Sequence, residues 1–412
     1  MATPSARGRR DDGSLPADID QPAAELLAPV HQGHIRQANA WSVLSAVRSA
    51  GVTSRSRVTR ETGLTGMTVH RLMTDLRHRK LVVSGGRPTR GSVGRPPSLF
   101  RFNASIGCVA GIDVGNETTR FVLADLDGRA IAQAVRPTAD LETDLARVLG
   151  TAISDLQLAA GVSRETLVGV GVGVPAVVDA AGMIVRASQH HIWEGLALGS
   201  YLRDTLGSEV IVTQDDHLAA LAELRRGACV GLRNAVVLDV GKGIGVGIIA
   251  DGAVHAGAHA AAGRVAWIPV PIDAVSPDEA SSLGSRLTGD GLVAAYRDRG
   301  GRDAVTGAAD VFAADLAGDQ AAGLVIDEFA ARLGWVIGAL VAVIDPELVV
   351  IGGGVSRSFE RLRPGVERRL AEIVPVPPPV VASNLVPDAV VFGAIHAARE
   401  LADTWLKERI GV

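Results

Sequence analysis

Apolar residues recur along the chain with two periods. Near the start, Trp41, Leu44 and Val47 fall at helical spacing and Gly51 supplies a stop, which predicts a helix over about 35–49. Ser54 is placed to cap a short helix ending at Thr62 and Gly63. Thr65 is placed to cap a third, whose Val69, Leu72, Met73 and Leu76 follow i, i+3, i+4, i+7. Leu81–Val83 then reads as a strand, 84–98 as a loop rich in Gly, Pro and Arg, and Leu99–Phe102 as a returning strand. Two helices joined through Gly63 and followed by a hairpin make a winged helix-turn-helix.

Beyond Gly107 the texture becomes that of an α/β unit. Strands are predicted over 108–114 and 120–124, a helix over 140–158, a strand over 167–172, a helix over 196–206, a strand over 209–213 and a helix over 217–227. The opening pattern returns over 235–252 as a strand, a glycine turn (Gly241-Lys242-Gly243-Ile244-Gly245) and a second strand, as expected of duplicated lobes. A helix over 321–343, a strand over 348–351, the turn Gly352-Gly353-Gly354, a strand over 389–392 and a last helix over 393–406 follow. The resulting division is a disordered tail (1–33), a DNA-binding domain (34–104), a first lobe (105–230), a second lobe (231–390) and a C-terminal helix (391–412) returning to the first lobe.

Charge sharpens this picture. The net charge is -4, yet residues 34–104 hold 13 Lys and Arg against 2 Asp and Glu. A local basic field of that density suits a polyanion better than overall charge would suggest. With the third helix buried along its apolar stripe, Gly66, Met67, Thr68, His70, Arg71 and Thr74 face outward, near the end of a reading helix that enters a major groove. Thr65, Thr68, His70 and Arg71 are therefore expected at bases, and Arg79 and Lys80 at phosphates. Arg87, Arg90 and Arg95 are expected from the wing. The bland alternative is a solvated basic face.

Other classes are set aside. Cys108 and Cys229 are too far apart in sequence to suggest a disulfide framework or a CxxC pair, which points to a reducing, cytoplasmic compartment. The apolar run 333–344 stops at Asp345 and Pro346, short of the roughly eighteen residues of a membrane span. Arg7, Arg9 and Arg10 are followed by Asp11 and Asp12 with no apolar stretch, so the start does not read as a leader.

Three glycine turns each follow a hydrophobic strand, where backbone N–H groups can approach a phosphate without obstruction. None fits GxxxxGK[ST], and each is equally well a structural hairpin. Taken in order, however, GIDVGNETTRFVLADLDG from Gly111, VGVPAVVD from Val172, Trp193-Glu194-Gly195, TQDDHLAALAE from Thr213, VLDVGKGIGVGIIADG from Val237, GAHAAAGR from Gly257, DPELVVIGGGVS from Asp345, and Gly94-Arg95-Pro96 in the wing resemble the ROK family of repressors and sugar kinases. The resemblance spans about 35–407. It implies an actin-like, two-lobed ATPase fold, a sugar in the cleft, and homodimers or homotetramers.

Departures from the family pattern then guide the functional expectation. The first phosphate turn of the kinases resembles DxGGTK, whereas Asp113-Val114-Gly115 is followed here by Asn116 and Glu117. A carboxylate replaces the hydroxyl facing phosphate, so ATP binding is expected to be weak, and Asp113, Gly115, Gly241, Gly243 and Gly353 to be a vestigial nucleotide site. Asp215 occupies the family's base position and reads first as a ligand contact, then as a helix cap, and last as a base. At the family's GEIGH segment stand Gly263-Arg264-Val265-Ala266-Trp267, replacing the sugar-binding Glu and the zinc-ligand His. The cysteine cluster is also absent, so no zinc is expected. Arg264 suits an anionic sugar, a degenerate pocket or an internal salt bridge. Gln189, Gln214, Asp215, His259 and Arg264 are the expected effector contacts. These features predict a regulator, read as a repressor, that binds double-stranded operator DNA and a sugar or sugar-phosphate effector. An active sugar kinase with a basic appendage is the alternative, and an actin-like assembly protein is a third reading.

Overall fold

The structure is a computed structural model, and it describes residues 32–86, 98–187, 190–268 and 283–411. Arg87, Arg90, Arg95 and Gln189 lie outside the described residues, as do positions 1–31 of the predicted tail.

The N-terminal unit packs three helices on a small sheet. Helix α1 (Gln32–Ala50) is followed by β1 (Val52–Ser54), α2 (Arg55–Thr62), α3 (Gly66–His78), β2 (Val82–Ser84) and β3 (Leu99–Phe102). Both expected N-caps are present: Ser54 accepts from the Arg57 amide and Thr65 from the Thr68 amide, while Gly63 closes α2 in the left-handed conformation. β1 was not expected from the pattern. It is three residues long and pairs antiparallel with β3, so the sheet order is β1-β3-β2. Three helices on a β-hairpin sheet match the arrangement expected of a winged helix-turn-helix, and residues 87–97 of the expected wing lie outside the described residues.

Two five-stranded sheets follow, built alike. The first joins β4 (Cys108–Val114), β5 (Thr118–Asp125), β6 (Ala130–Pro137), β7 (Leu167–Val174) and β10 (Val210–Gln214) in the order β10-β7-β4-β5-β6. The second joins β11 (Ala235–Val240), β12 (Ile244–Ala250), β13 (Ala253–Val254), β14 (Leu348–Gly352) and β15 (Val380–Ala382) in the order β13-β12-β11-β14-β15. Each has an antiparallel hairpin (β4–β5, β11–β12) beside a parallel neighbour of its first strand (β7, β14). The first lobe also holds α4 (Leu145–Ala159), the hairpin β8 (Ala176–Val178) and β9 (Ile184–Ala187) and α5 (Leu198–Leu206), and α6 (Asp215–Arg226) leads from its last strand to the second sheet. The second lobe adds α7 (Leu283–Arg286), α8 (Gly289–Asp298), α9 (Ala308–Leu316), α10 (Gln320–Ile344) and α11 (Phe359–Ile373), and each sheet carries its own apolar core.

The strand expected over 389–392 is not one. Residues Ala389–Ile410 form a single helix, α12, and the outer strand of the second sheet is β15, at 380–382. The run Val390-Val391-Phe392 carries β-branched and aromatic side chains, which favour strands locally. Tertiary packing overrides that preference, because α12 lies directly on β4 and β7 where Gly111, Gly169 and Gly171 leave no side chain in the way. A Cβ on Gly171 would fall 2.1 Å from the Ala394 carbonyl oxygen.

Helix α12 also joins the N-terminal unit to the first lobe. Ile395, Ala398, Ala402, Leu406 and Ile410 share one core with Leu44, Val47, Leu72 and Leu76 of the N-terminal helices and with Val109, Leu126 and Val168 of the lobe. Polar contacts reinforce the joint. Arg48 pairs with Asp403 and donates to the Leu126 carbonyl at 2.9 Å, which also accepts from Arg399 at 2.9 Å. Arg79 donates to the Arg409 carbonyl at 2.6 Å, and Lys407 lies 5.0 Å from the Trp41 ring centre.

Candidate functional site

A cleft of about 830 Å3 opens between the two sheets, lined by the glycine turns and the ends of the strands. Asp113 is the next-to-last residue of β4 and Asp239 the next-to-last of β11. In register, Asp113 stands opposite Gly173 of β7 and Asp239 opposite Gly352 of β14, so the two carboxylates occupy equivalent places in the duplicated sheets. Asp215 and Asp216 occupy the first turn of α6, where the helix N-terminus favours negative charge. All four aspartates line the cleft. Burial chiefly, and their mutual repulsion, push each carboxyl up to about 7.

The third glycine turn needs its glycine. Gly353 has φ of 68°, and a Cβ there would fall 2.4 Å from an Asp239 carboxylate oxygen and 2.4 Å from the Val240 carbonyl oxygen. The backbone amide of Gly353 instead hydrogen-bonds Asp239.

Arg264 enters the cleft from the loop after β13 and faces both Asp215 and Asp216, whose charges it partly offsets. Its Nε donates to the Gln214 side-chain oxygen, and the Gln214 amide nitrogen donates to the Ala260 carbonyl. His217 Nε2 lies 3.1 Å from the Ala262 carbonyl oxygen, tying the same loop to α6. Gln214 is 1% exposed and lies behind the lining, holding Arg264 in place.

Of the other expected effector contacts, Asp215 and Arg264 line the cleft, and His259 is exposed outside the lining residues. Asp113, Gly115, Gly241, Gly243 and Gly353 all line it, at the three turns. The structure adds Asp216, Asp239, Arg120, Arg186, His191 and Lys242. Asp239 was legible as the repeat of Asp113, whereas the arginines follow no pattern in the sequence. Glu117 projects from the first turn, and Lys242 from the second lies 3.2 Å from it and 3.0 Å from Asp290 of α8. Both acidic partners lower the cost of keeping the Lys242 ammonium protonated and raise its pKa.

The position matching the family's zinc-ligand histidine is Trp267, which offers no ligand atom. No group of three or more His, Cys, Asp or Glu among the described residues is arranged to hold a metal ion. The residues present do not fit zinc.

On the N-terminal unit, His70 and Arg71 are exposed on α3, and Lys80 is exposed just beyond it. Thr65 and Thr68 are engaged with each other, their hydroxyl oxygens 2.9 Å apart. Arg79 reaches both Asp75, at 3.3 Å, and the end of α12. Among the described residues no helix is long and apolar enough to cross a membrane.

Comparison with known proteins places this geometry. The xylose repressor of Caldicellulosiruptor bescii is 25% identical over 387 residues, covering 88% of this chain and 95% of the repressor. The glucokinase of Halalkalibacterium halodurans is 28% identical over 273 residues, covering 61% of this chain and 82% of the kinase. A solved ROK family transcriptional regulator, described as a homologue of the E. coli MLC protein, superposes with a TM-score of 0.75 at 22% identity, over 92% of this chain and 99% of its own. The fold is thus the two-lobed, actin-like one of these repressors and sugar kinases, preceded by the N-terminal three-helix unit. With the ROK family model matched over residues 109–400, most of both lobes, the chain belongs to the ROK family.

Proposed function

We propose that this protein is a DNA-binding transcriptional regulator, acting as a repressor, whose interlobe cleft binds a sugar or sugar-derived effector. The observation that carries the reading is the path of α12. Its first residues, Ala389 and Val390, line the cleft, and its last turns lie in the core of the basic winged helix. At about 1.5 Å per residue this helix of 22 residues spans about 33 Å. An effector that favours one lobe arrangement therefore has a rigid connection through which to bias the DNA-binding unit. By linkage, it changes DNA affinity only as far as it binds the two arrangements differently.

Relatives support the same reading. The Caldicellulosiruptor bescii xylose repressor matches over 88% of this chain, more than the two lobes alone supply, whereas the glucokinase match covers 61%. The operator partner is double-stranded DNA, and a homodimer or homotetramer supplies the second reading head that a two-part site needs. Zinc and ATP have no part in this function. Arg264 is partly offset by two aspartates and Arg120 by Asp113, so an acidic sugar or sugar phosphate would draw its attraction chiefly from Arg186.

A kinase reading retains one specific support, Asp215 facing the cleft at the family's base position. Titration of the purified protein against its own promoter region at fixed salt, with and without sugars and sugar phosphates, tests the regulator. Saturable binding released by one compound is the expected result. Hexose-dependent ATP turnover without a specific DNA complex would replace this reading with the kinase.

A further inference from the structure

The outward face of α3 carries an apolar residue where a polar one would be expected. The helix buries Val69, Leu72, Met73 and Leu76 and leaves Met67, His70, Arg71 and Thr74 exposed at i, i+3, i+4 and i+7, one continuous stripe. Met67 is 78% exposed in the first turn, the end of a reading helix that goes deepest into a major groove.

The hydroxyls around it are already engaged. Thr65 and Thr68 bond each other, and Thr74 donates to the His70 carbonyl at 2.9 Å. His70 and Arg71 are left as the polar readers of the stripe, with Met67 beside them. Among base edges in the major groove, only thymine presents an apolar group, its 5-methyl. A thioether side chain is flexible and polarizable enough to settle on that methyl without fixed geometry.

We propose that Met67 is a specificity-determining residue that contacts the 5-methyl group of a thymine in the operator half-site, beside the base read by Arg71. This rests on the DNA-binding function proposed above.

The test uses the full-length protein. Its binding sequence is selected from random duplexes, and each thymine of the selected half-site is then replaced singly by deoxyuridine, which removes only the methyl group. One thymine per half-site should lose about fourfold in affinity, the scale of one buried methyl. That loss should vanish in Met67→Ala and persist in Met67→Leu. Loss at no thymine, or a loss unchanged in Met67→Ala, overturns the assignment while leaving the DNA-binding reading intact. Enrichment of no sequence at all overturns both.

Discussion

Lys242 Nζ lies 3.2 Å from Glu117 Oε1, so a lysine on the glycine turn of one sheet is paired with a carboxylate on the matching turn of the other. Asp290 holds the same ammonium at 3.0 Å. An internal anion thus stands at the turn that the family resemblance assigns to phosphate. Both side chains are substantially exposed, so the pair itself adds little stability. Its effect falls on a third charge: a nucleotide phosphate entering here meets a carboxylate and a lysine already engaged.

Glu117→Thr should therefore raise affinity for ATP by about fivefold, the low end of the repulsion between like charges about 4 Å apart. Titration calorimetry of wild type and variant with ATP and magnesium reads this directly. Equal affinities would show that Glu117 does not govern the site.

The joint between α12 and the winged helix predicts a separation of binding from response. Arg48 is largely buried and loses its carboxylate partner in Asp403→Ala, while its bond to the Leu126 carbonyl remains. The expected cost is about 1–2 kcal/mol of local stability. Hydrogen exchange in α1 and α3 should rise. Effector affinity in the absence of DNA should hold, and the change in DNA affinity caused by the effector should shrink. An unchanged effector response would place the coupling elsewhere.

Arg71 and Lys80 should separate base reading from phosphate contact. Both are exposed, but Arg71 lies on the outward stripe of α3 and Lys80 beyond its end. Arg71→Ala should lower affinity for the selected operator by about tenfold or more and barely change binding to random duplex. Lys80→Ala should weaken both alike and flatten the salt dependence. Equal losses from Arg71→Ala on both duplexes would move the reading face off this stripe.

The helices of the winged unit and the first strands of both sheets were legible because their signals are local. Ser54, Gly63 and Thr65 mark helix ends by their own hydrogen bonding and backbone freedom. β6 was missed because it is largely exposed and carries a weak alternation, as an outer strand does. The 389–392 segment was misread because the glycines that admit a helix there, Gly111, Gly169 and Gly171, lie more than 200 positions away. The cleft followed the same rule. Asp113, Asp215 and the glycine turns carry family motifs, whereas the offset of Arg264 by Asp216 and its anchoring by Gln214 depend on how α6 meets a distant loop.

Asp216 supplies a pH signature for the cleft. Its carboxyl is pushed up from 3.8 to about 7 by burial first, with Asp239 adding repulsion and Arg264 opposing it. A carboxyl raised in the folded state contributes stability that is fully present below about pH 4 and lost as pH rises through about 7. His396, depressed to about 4, works the other way, its contribution present above about 6.5 and lost as pH falls. The wild-type curve mixes the two, so the informative quantity is the difference between wild type and Asp216→Asn, in which the histidines cancel. Because Asn does not titrate, the variant should gain on wild type between pH 5 and pH 8 by about 1–2 kcal/mol, a few degrees in melting temperature. Asp113, Asp215 and Asp239 titrate with it, so the change should spread over more than one pH unit. A difference independent of pH would mean that Asp216 stays ionised in the folded cleft, held there by Arg264.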